Sequence, residues 1–94
     1  MEIRFAIEDD GPKGAIVAFD GETEAGKMTF VHNGSKQIII DHTEVNEKYN
    51  GHGIGKKLVY HGAEYFRTKQ FKVIPLCPFA SALFKKDETL QDLL

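Results

Sequence analysis

The run Asn50-Gly51-His52-Gly53-Ile54-Gly55-Lys56-Lys57 sets three glycines at alternate positions beside two lysines and a histidine. Glycines so spaced let backbone N–H groups approach an anion with no Cβ in the way. A helix opening just behind them adds unpaired amides and the positive end of its dipole. The pattern is that of a phosphate cradle, with His52, Lys56 and Lys57 as charges at its rim; the bland alternative is a tight turn. Two common phosphate binders do not fit. A Walker loop requires Ser or Thr after its Gly-Lys pair, where Lys57 stands. A dinucleotide fold places such a loop after its first parallel strand, whereas here a series of strands at hairpin spacing comes first. Two further groups have chemical potential. Cys77, the single cysteine, immediately precedes Pro78, and proline favours the first helical position. A thiol at a helix N-terminus lies where the dipole favours its anion; the alternative is a small buried hydrophobe. His42 lies near the end of a strand, where simple alternation puts it on one face with Ile38, Ile40 and Glu44. An imidazole there can take a proton from an incoming ammonium or from a thiol, with Glu44 as a weaker candidate for the same task. A partly buried strand histidine is the competing reading. His32 and His61 are expected at the surface, and the absence of a histidine pair with supporting acids argues against a metal.

Four strands are expected before the cradle. Glu2 to Ile7 alternates, with Ile3, Phe5 and Ile7 on one face, and Asp9-Asp10-Gly11-Pro12 ends it. Ala15 to Asp20 and Glu24 to His32 follow, separated by the hairpin signal Asp20-Gly21. Gln37 to Val45 carries the run Ile38-Ile39-Ile40, apolar on both faces as in a strand covered on both sides. The period then changes. From Gly53 to Arg67, the residues Gly55, Leu58, Val59, Gly62, Ala63 and Phe66 share one helical face. Glycines on that face imply a helix lying close to a sheet, since each costs roughly 1 kcal/mol of helix propensity. Phe71 to Leu76 reads as a fifth strand, Pro78 to Lys86 as a second helix, and Leu90 to Leu94 as a short tail. The fold class is α+β: a mostly antiparallel mixed five-stranded sheet with two main helices, in the order strand, strand, strand, strand, helix, strand, helix.

The 94 residues and 41% hydrophobic content suit one domain, 1–94. A formal charge of -2 argues against a general polyanion binder, so no nucleic-acid partner is expected. Basic side chains nevertheless outnumber acidic ones between Lys48 and Lys86, which suits a local anion site. No apolar stretch reaches the roughly 20 residues of a membrane span, and one unpaired thiol fits a reducing compartment. A cytoplasmic monomer is the expectation.

With these residues in place, the passage Val45 to Leu58 resembles the acetyl-CoA motif of the GNAT-type N-acetyltransferase superfamily, Arg/Gln-x-x-Gly-x-Gly/Ala. Asn50, Gly53 and Gly55 fall at its defining positions, and Tyr49 matches an aromatic common before the loop. Asn50 departs from the usual Arg or Gln. More narrowly, the His-Thr-Glu-Val strand end (His42 to Val45) and the Pro-Leu-Cys-Pro-Phe segment (Pro75 to Phe79) resemble a group of very small GNAT-like proteins. The resemblance implies the minimal GNAT fold, acetyl-CoA or coenzyme A as cofactor, and acetyl transfer to an amine acceptor, small molecule or protein. It implies that the cofactor's arm lies along Thr43, Glu44 and Val45, that its phosphates meet Asn50, Gly51, His52, Gly53, Ile54, Gly55, Lys56 and Lys57, and that Phe79 and Phe84 line the site. In many members a tyrosine protonates the departing thiolate; Phe84 stands at that position, leaving Cys77 as the nearest acid or nucleophile. A binding or regulatory module with little transfer is the alternative. The family's first two helices have no room between Glu8 and Lys13, so the acceptor side should be open to solvent or completed by a partner.

Overall fold

A computed structural model describes residues 2–94 of the chain. Strands β1 (Ile3–Asp9), β2 (Lys13–Asp20), β3 (Thr23–His32) and β4 (Gln37–Val45) are followed by helix α1 (Ile54–Thr68), strand β5 (Lys72–Pro75) and helix α2 (Pro78–Lys86). Short 3-10 turns at Glu47–Tyr49 and Glu88–Leu93 complete the chain. The strands lie in sequence order across one sheet, antiparallel from β1 to β4, with β5 parallel to β4. This is the expected α+β architecture and element order. Among the described residues no helix is long and apolar enough to cross a membrane.

One face of the sheet makes the core. Ile16, Met28, Phe30, Ile38, Ile40 and Val73 project from it against Leu58, Val59, Ala63 and Phe66 of α1 and Ala80 and Phe84 of α2. The period of α1 places its buried face as expected, with Ile54 added. A Cβ on Gly62 would lie 2.6 Å from Met28 Cε and 3.3 Å from Ile16 Cγ1, so the missing side chain is what lets α1 approach the sheet. Gly55 is different. Its Cβ would meet the Phe79 ring at 3.0 Å, so this glycine makes room for α2 and not for the sheet.

Four expectations need correction. The isoleucine run is covered on one side only: Ile38 and Ile40 are fully buried and Ile39 is half-buried, because among the described residues no helix packs on the second face. In β1, the edge strand of the sheet, Ile3 and Phe5 pack against the core while Ile7 is exposed. The C-terminal tail is a 3-10 turn that buries Leu90 and Leu93. It is pinned by a two-pronged Arg67–Asp92 pair, with Nε–Oδ2 and Nη2–Oδ1 both 2.9 Å.

His32 is the fourth. It is no surface residue: only 16% of its side chain is exposed, and its Nε2 donates to Asp9 Oδ1 at 2.9 Å. Tyr65 donates to the other oxygen of Asp9 at 2.7 Å, so a β1 carboxylate ties together β3 and α1. Burial raises the Asp9 carboxyl, but the Tyr65 hydroxyl, the Gly11 amide and His32 outweigh it and hold it below its ordinary value. Tyr65 is pushed up to about 12 by burial and then by its hydrogen bond to Asp9. His61 does lie at the surface, stacked on Phe5 with centroids 3.9 Å apart.

Candidate active site

The site begins with a one-residue irregularity. Thr29 pairs with His42 and Phe30 with Ile40, so Asp41 is an extra residue in β4. A bulge of this kind bends its strand and resets the side-chain alternation. Before it, Ile38 and Ile40 face the core; after it, Thr43 and Val45 do. His42 therefore does not share a face with Ile38 and Ile40, contrary to simple alternation. It projects from the opposite face with Glu44, Nε2 to Oε2 at 3.4 Å, both about two-thirds exposed. Asp41 is held on that outer face by the Thr29 hydroxyl, 2.6 Å away.

At the same point β5 leaves β4. Their ladder runs from Gln37 opposite Lys72 to Ile40 opposite Pro75 and stops. The Ile40 carbonyl accepts from both Leu76 N–H (3.0 Å) and Cys77 N–H (3.1 Å). Beyond it, among the described residues, β4 has no strand partner on this side from Asp41 to Val45. The strand pairing ends there, leaving Asp41–Val45 as a free strand edge.

Cys77 lies where the pairing of the two strands ends. It is 4% exposed and caps α2, its Sγ accepting from Ala80 N–H at 3.4 Å. The Sγ–H donates to Thr43 Oγ1 at 3.2 Å. The bulge is what turns Thr43 inward to receive it. Cys77 and His42 are thus on opposite sides of β4, and no hydrogen bond joins them. Phe84 is 1% exposed and belongs to the core.

At its other end the free edge runs into the cradle. Asn46 caps the turn Glu47–Tyr49, and buried Tyr49 donates to Asp20 Oδ2 at 2.7 Å, fastening the loop to the end of β2. Gly51 (φ 84°) and Gly53 (φ 71°) both adopt left-handed backbone that side chains disfavour. Gly53 is the N-cap of α1 and has no side chain to satisfy the helix amides. The first intrahelical bond is Lys57 N–H to Gly53 C=O at 3.0 Å, so the amides of Ile54, Gly55 and Lys56 lack partners within the helix. No acidic residue lies in the first turn. Val45, Tyr49, Asn50, Gly51, Gly53, Ile54, Gly55, Lys56 and Phe79 line one groove of about 230 Å³.

Most of the residues expected at the cofactor are therefore brought together. His52 and Lys57 are exposed and outside the groove lining, and Glu44 lines a separate cleft with Glu24 and Glu47. Tyr49 is the addition, signalled in the sequence only by an aromatic ring next to the loop. Among the described residues, no group of three or more His, Cys, Asp or Glu side chains is arranged to hold a metal ion.

Comparison with known proteins follows this geometry. The chain is 31% identical to a GCN5-like protein from Staphylococcus aureus, with a TM-score of 0.69 over 94% of this chain and 85% of that one. A GNAT family acetyltransferase from Elizabethkingia anophelis, solved with acetyl-CoA bound, shares the fold at 13% identity, with a TM-score of 0.70 over 89% of this chain and 72% of the other. An aminoglycoside 6'-N-acetyltransferase complexed with coenzyme A shares it at 15% identity and a TM-score of 0.62, over 70% of this chain and 38% of its own length. No curated protein sequence matches the chain significantly. A profile of the GCN5-related N-acetyl-transferases matches residues 4–93, and the chain belongs to that family.

Proposed function

We propose that this domain binds acetyl-CoA along the free edge of β4, beyond its ladder with β5, and transfers its acetyl group to an amine. The observation that carries the reading is the continuity of the free edge Asp41–Val45 with the unpaired amides that open α1. The residues fit such a molecule. An edge strand offers N–H and C=O groups to an amide-containing arm as it would to another strand. The left-handed glycines and the first turn of α1, free of acid, suit a diphosphate. Two structural neighbours contain coenzyme A or its acetyl ester, which supports the same ligand here. The thioester supplies an acyl group already activated toward amines.

The chain's own residues then divide the work. Backbone N–H groups of Thr43 to Val45 orient the arm, and one of them polarises the acyl carbonyl. The amine arrives from the outer face, where β1 and β2 are joined without intervening helices. His42 and Glu44 are the exposed groups there that accept its proton. Cys77 is on the inner side, next to Thr43, and acts on the thiol end. It either protonates the departing sulfur or accepts the acetyl group before the amine does. Intact-mass measurement after mixing protein and acetyl-CoA separates these routes, since only the second leaves an acetyl adduct on Cys77. Amine-dependent release of free coenzyme A tests transfer itself. If no amine, peptidic or small, raises release above background, the transferase reading is wrong.

A further inference from the structure

We infer that β1 pairs with β1 of a second copy of this chain, joining two five-stranded sheets into one across a twofold axis. β1 is the outermost strand, and its seven residues pair with β2 in one unbroken register. Bulges and prolines protect many edge strands from pairing with another chain, and β1 has neither. Its backbone is set for a further neighbour. The Asp10 N–H donates to the Lys13 carbonyl at 2.9 Å, continuing the register of the ladder. Bonded and non-bonded residues alternate along an antiparallel pair. Arg4, Ala6 and Glu8 therefore turn their N–H and C=O groups to β2, whereas Ile3, Phe5, Ile7 and Asp9 present theirs to the free side.

The side chains select the strand that fits. A twofold axis between the two copies of Ala6 sets Phe5 opposite Ile7 and Ile3 opposite Asp9. Each is an outward residue facing an outward residue, as a bonded pair requires. The same axis sets Arg4 opposite Glu8 twice, at the non-bonded positions where side chains approach most closely. Phe5 packs against the core, so Arg4, Ala6 and Glu8 stand on the opposite face. Arg4 and Glu8 are exposed there, and among the described residues neither is in an ion pair. Ala6, at the axis, has no bulk to hold the strands apart. Ile7, 44% exposed, gains the partner copy's Phe5 as cover. Neighbouring registers are worse: an axis at Phe5 brings Glu2 opposite Glu8, and one at Ile7 brings Glu8 opposite Ala6 and Asp9 opposite Phe5. β1 is thus its own complement in one register, which favours a second copy over an unrelated peptide. Pairing in this way leaves both outer faces, with His42 and Glu44, on the same side of the joined sheet.

Charge reversal in the full chain tests the pairing. Sedimentation equilibrium of the unaltered protein should show twice the chain's mass as concentration rises toward millimolar. Arg4→Glu and Glu8→Arg each set like charges opposite one another, and each should weaken self-association about tenfold or more. An equimolar mixture of the two variants restores opposite charges at both positions and should dimerise as tightly as the unaltered chain. Ile7→Pro removes an N–H that faces outward and leaves the β1–β2 ladder whole, so it should keep the native circular dichroism and lose the dimer. A single chain mass at every concentration of the unaltered protein would overturn the inference. Dimers that survive either charge reversal, or that survive Ile7→Pro, lie on another surface and would overturn it too, as would a mixture that stays monomeric.

Discussion

Gly55 and Gly62 are one helical face apart by seven residues, and the same substitution should have opposite effects at the two. At Gly62, in the middle of α1, alanine gains about 1 kcal/mol of helix propensity. Its Cβ, however, lies 2.6 Å from Met28 Cε, roughly 1 Å inside ordinary contact, and Met28 is fully buried with Ile16 close behind. Overpacking of this kind costs about 1–3 kcal/mol, leaving a net loss of about 0–2 kcal/mol with a centre near 1. For a domain of this size 1 kcal/mol lowers Tm by roughly 4–8 °C. At Gly55 the nearest atoms belong to Phe79, a ring 45% exposed that can yield the few tenths of an ångström required. The net effect there is a gain of up to about 1 kcal/mol, reduced by the position in the first turn. Urea unfolding of the two variants, read by circular dichroism, measures the difference. Gly62→Ala combined with Met28→Val removes the clashing methyl and should show coupling on the order of 1 kcal/mol. Equal stability of Gly55→Ala and Gly62→Ala, or no coupling to Met28, would refute the packing account of why this helix carries glycine.

Other outcomes follow from the same structure. Gly53→Ala should cost about 1–2 kcal/mol for a side chain in left-handed backbone, with no steric clash, and should weaken acetyl-CoA further in calorimetry; unchanged affinity would detach the loop from the ligand. Cys77→Ala should reduce amine-dependent coenzyme A release by about 10²-fold or more, and full turnover would end both roles of the thiol. Gly14→Ala should be severely destabilising, by about 3 kcal/mol or more, because its Cβ would run into the Glu8 carbonyl oxygen and the buried Phe30 ring; a well-folded variant contradicts this. Tyr65 holds its proton to about 12, chiefly through burial and then through Asp9. A group that binds its proton more tightly when folded stabilises fully below its unfolded value near 10 and loses that contribution as pH rises from 10 to 12. Tyr65→Phe should flatten that alkaline decline in stability measured against pH, and at pH 7 should lose only the hydrogen bond to Asp9, about 1–3 kcal/mol.

The parts of the fold that were legible in sequence are those governed by local period and local turn chemistry. Leu58, Val59, Ala63 and Phe66 recur at helical spacing and are buried together; Cys77-Pro78 marks a helix start and caps one; the alternate glycines mark the loop that opens α1. What was illegible depends on partners distant in sequence. Asp41 looks like the next residue of an alternating strand, and only its pairing with β3 makes it an insertion that turns His42 away from Cys77. His32 looks like a strand-end surface residue until Asp9, 23 positions away, pairs with it and the Phe71 ring packs edge-on against it. Leu90 and Leu93 are too few to announce a helix, and they are buried because Arg67 anchors the turn from the other side. The sequence carries no local sign of these three, since each is a tertiary contact.

The extra residue in β4 has a consequence for the strand itself. Deleting Asp41 would restore strict in–out order through the strand and leave His42 outward opposite Thr29 and Thr43 inward opposite Met28. The thiol would keep its acceptor, but β4 would lose the bend that an extra residue puts into a strand. A single codon thus sets the line of that free edge, while both halves of the chemistry stay on their own sides.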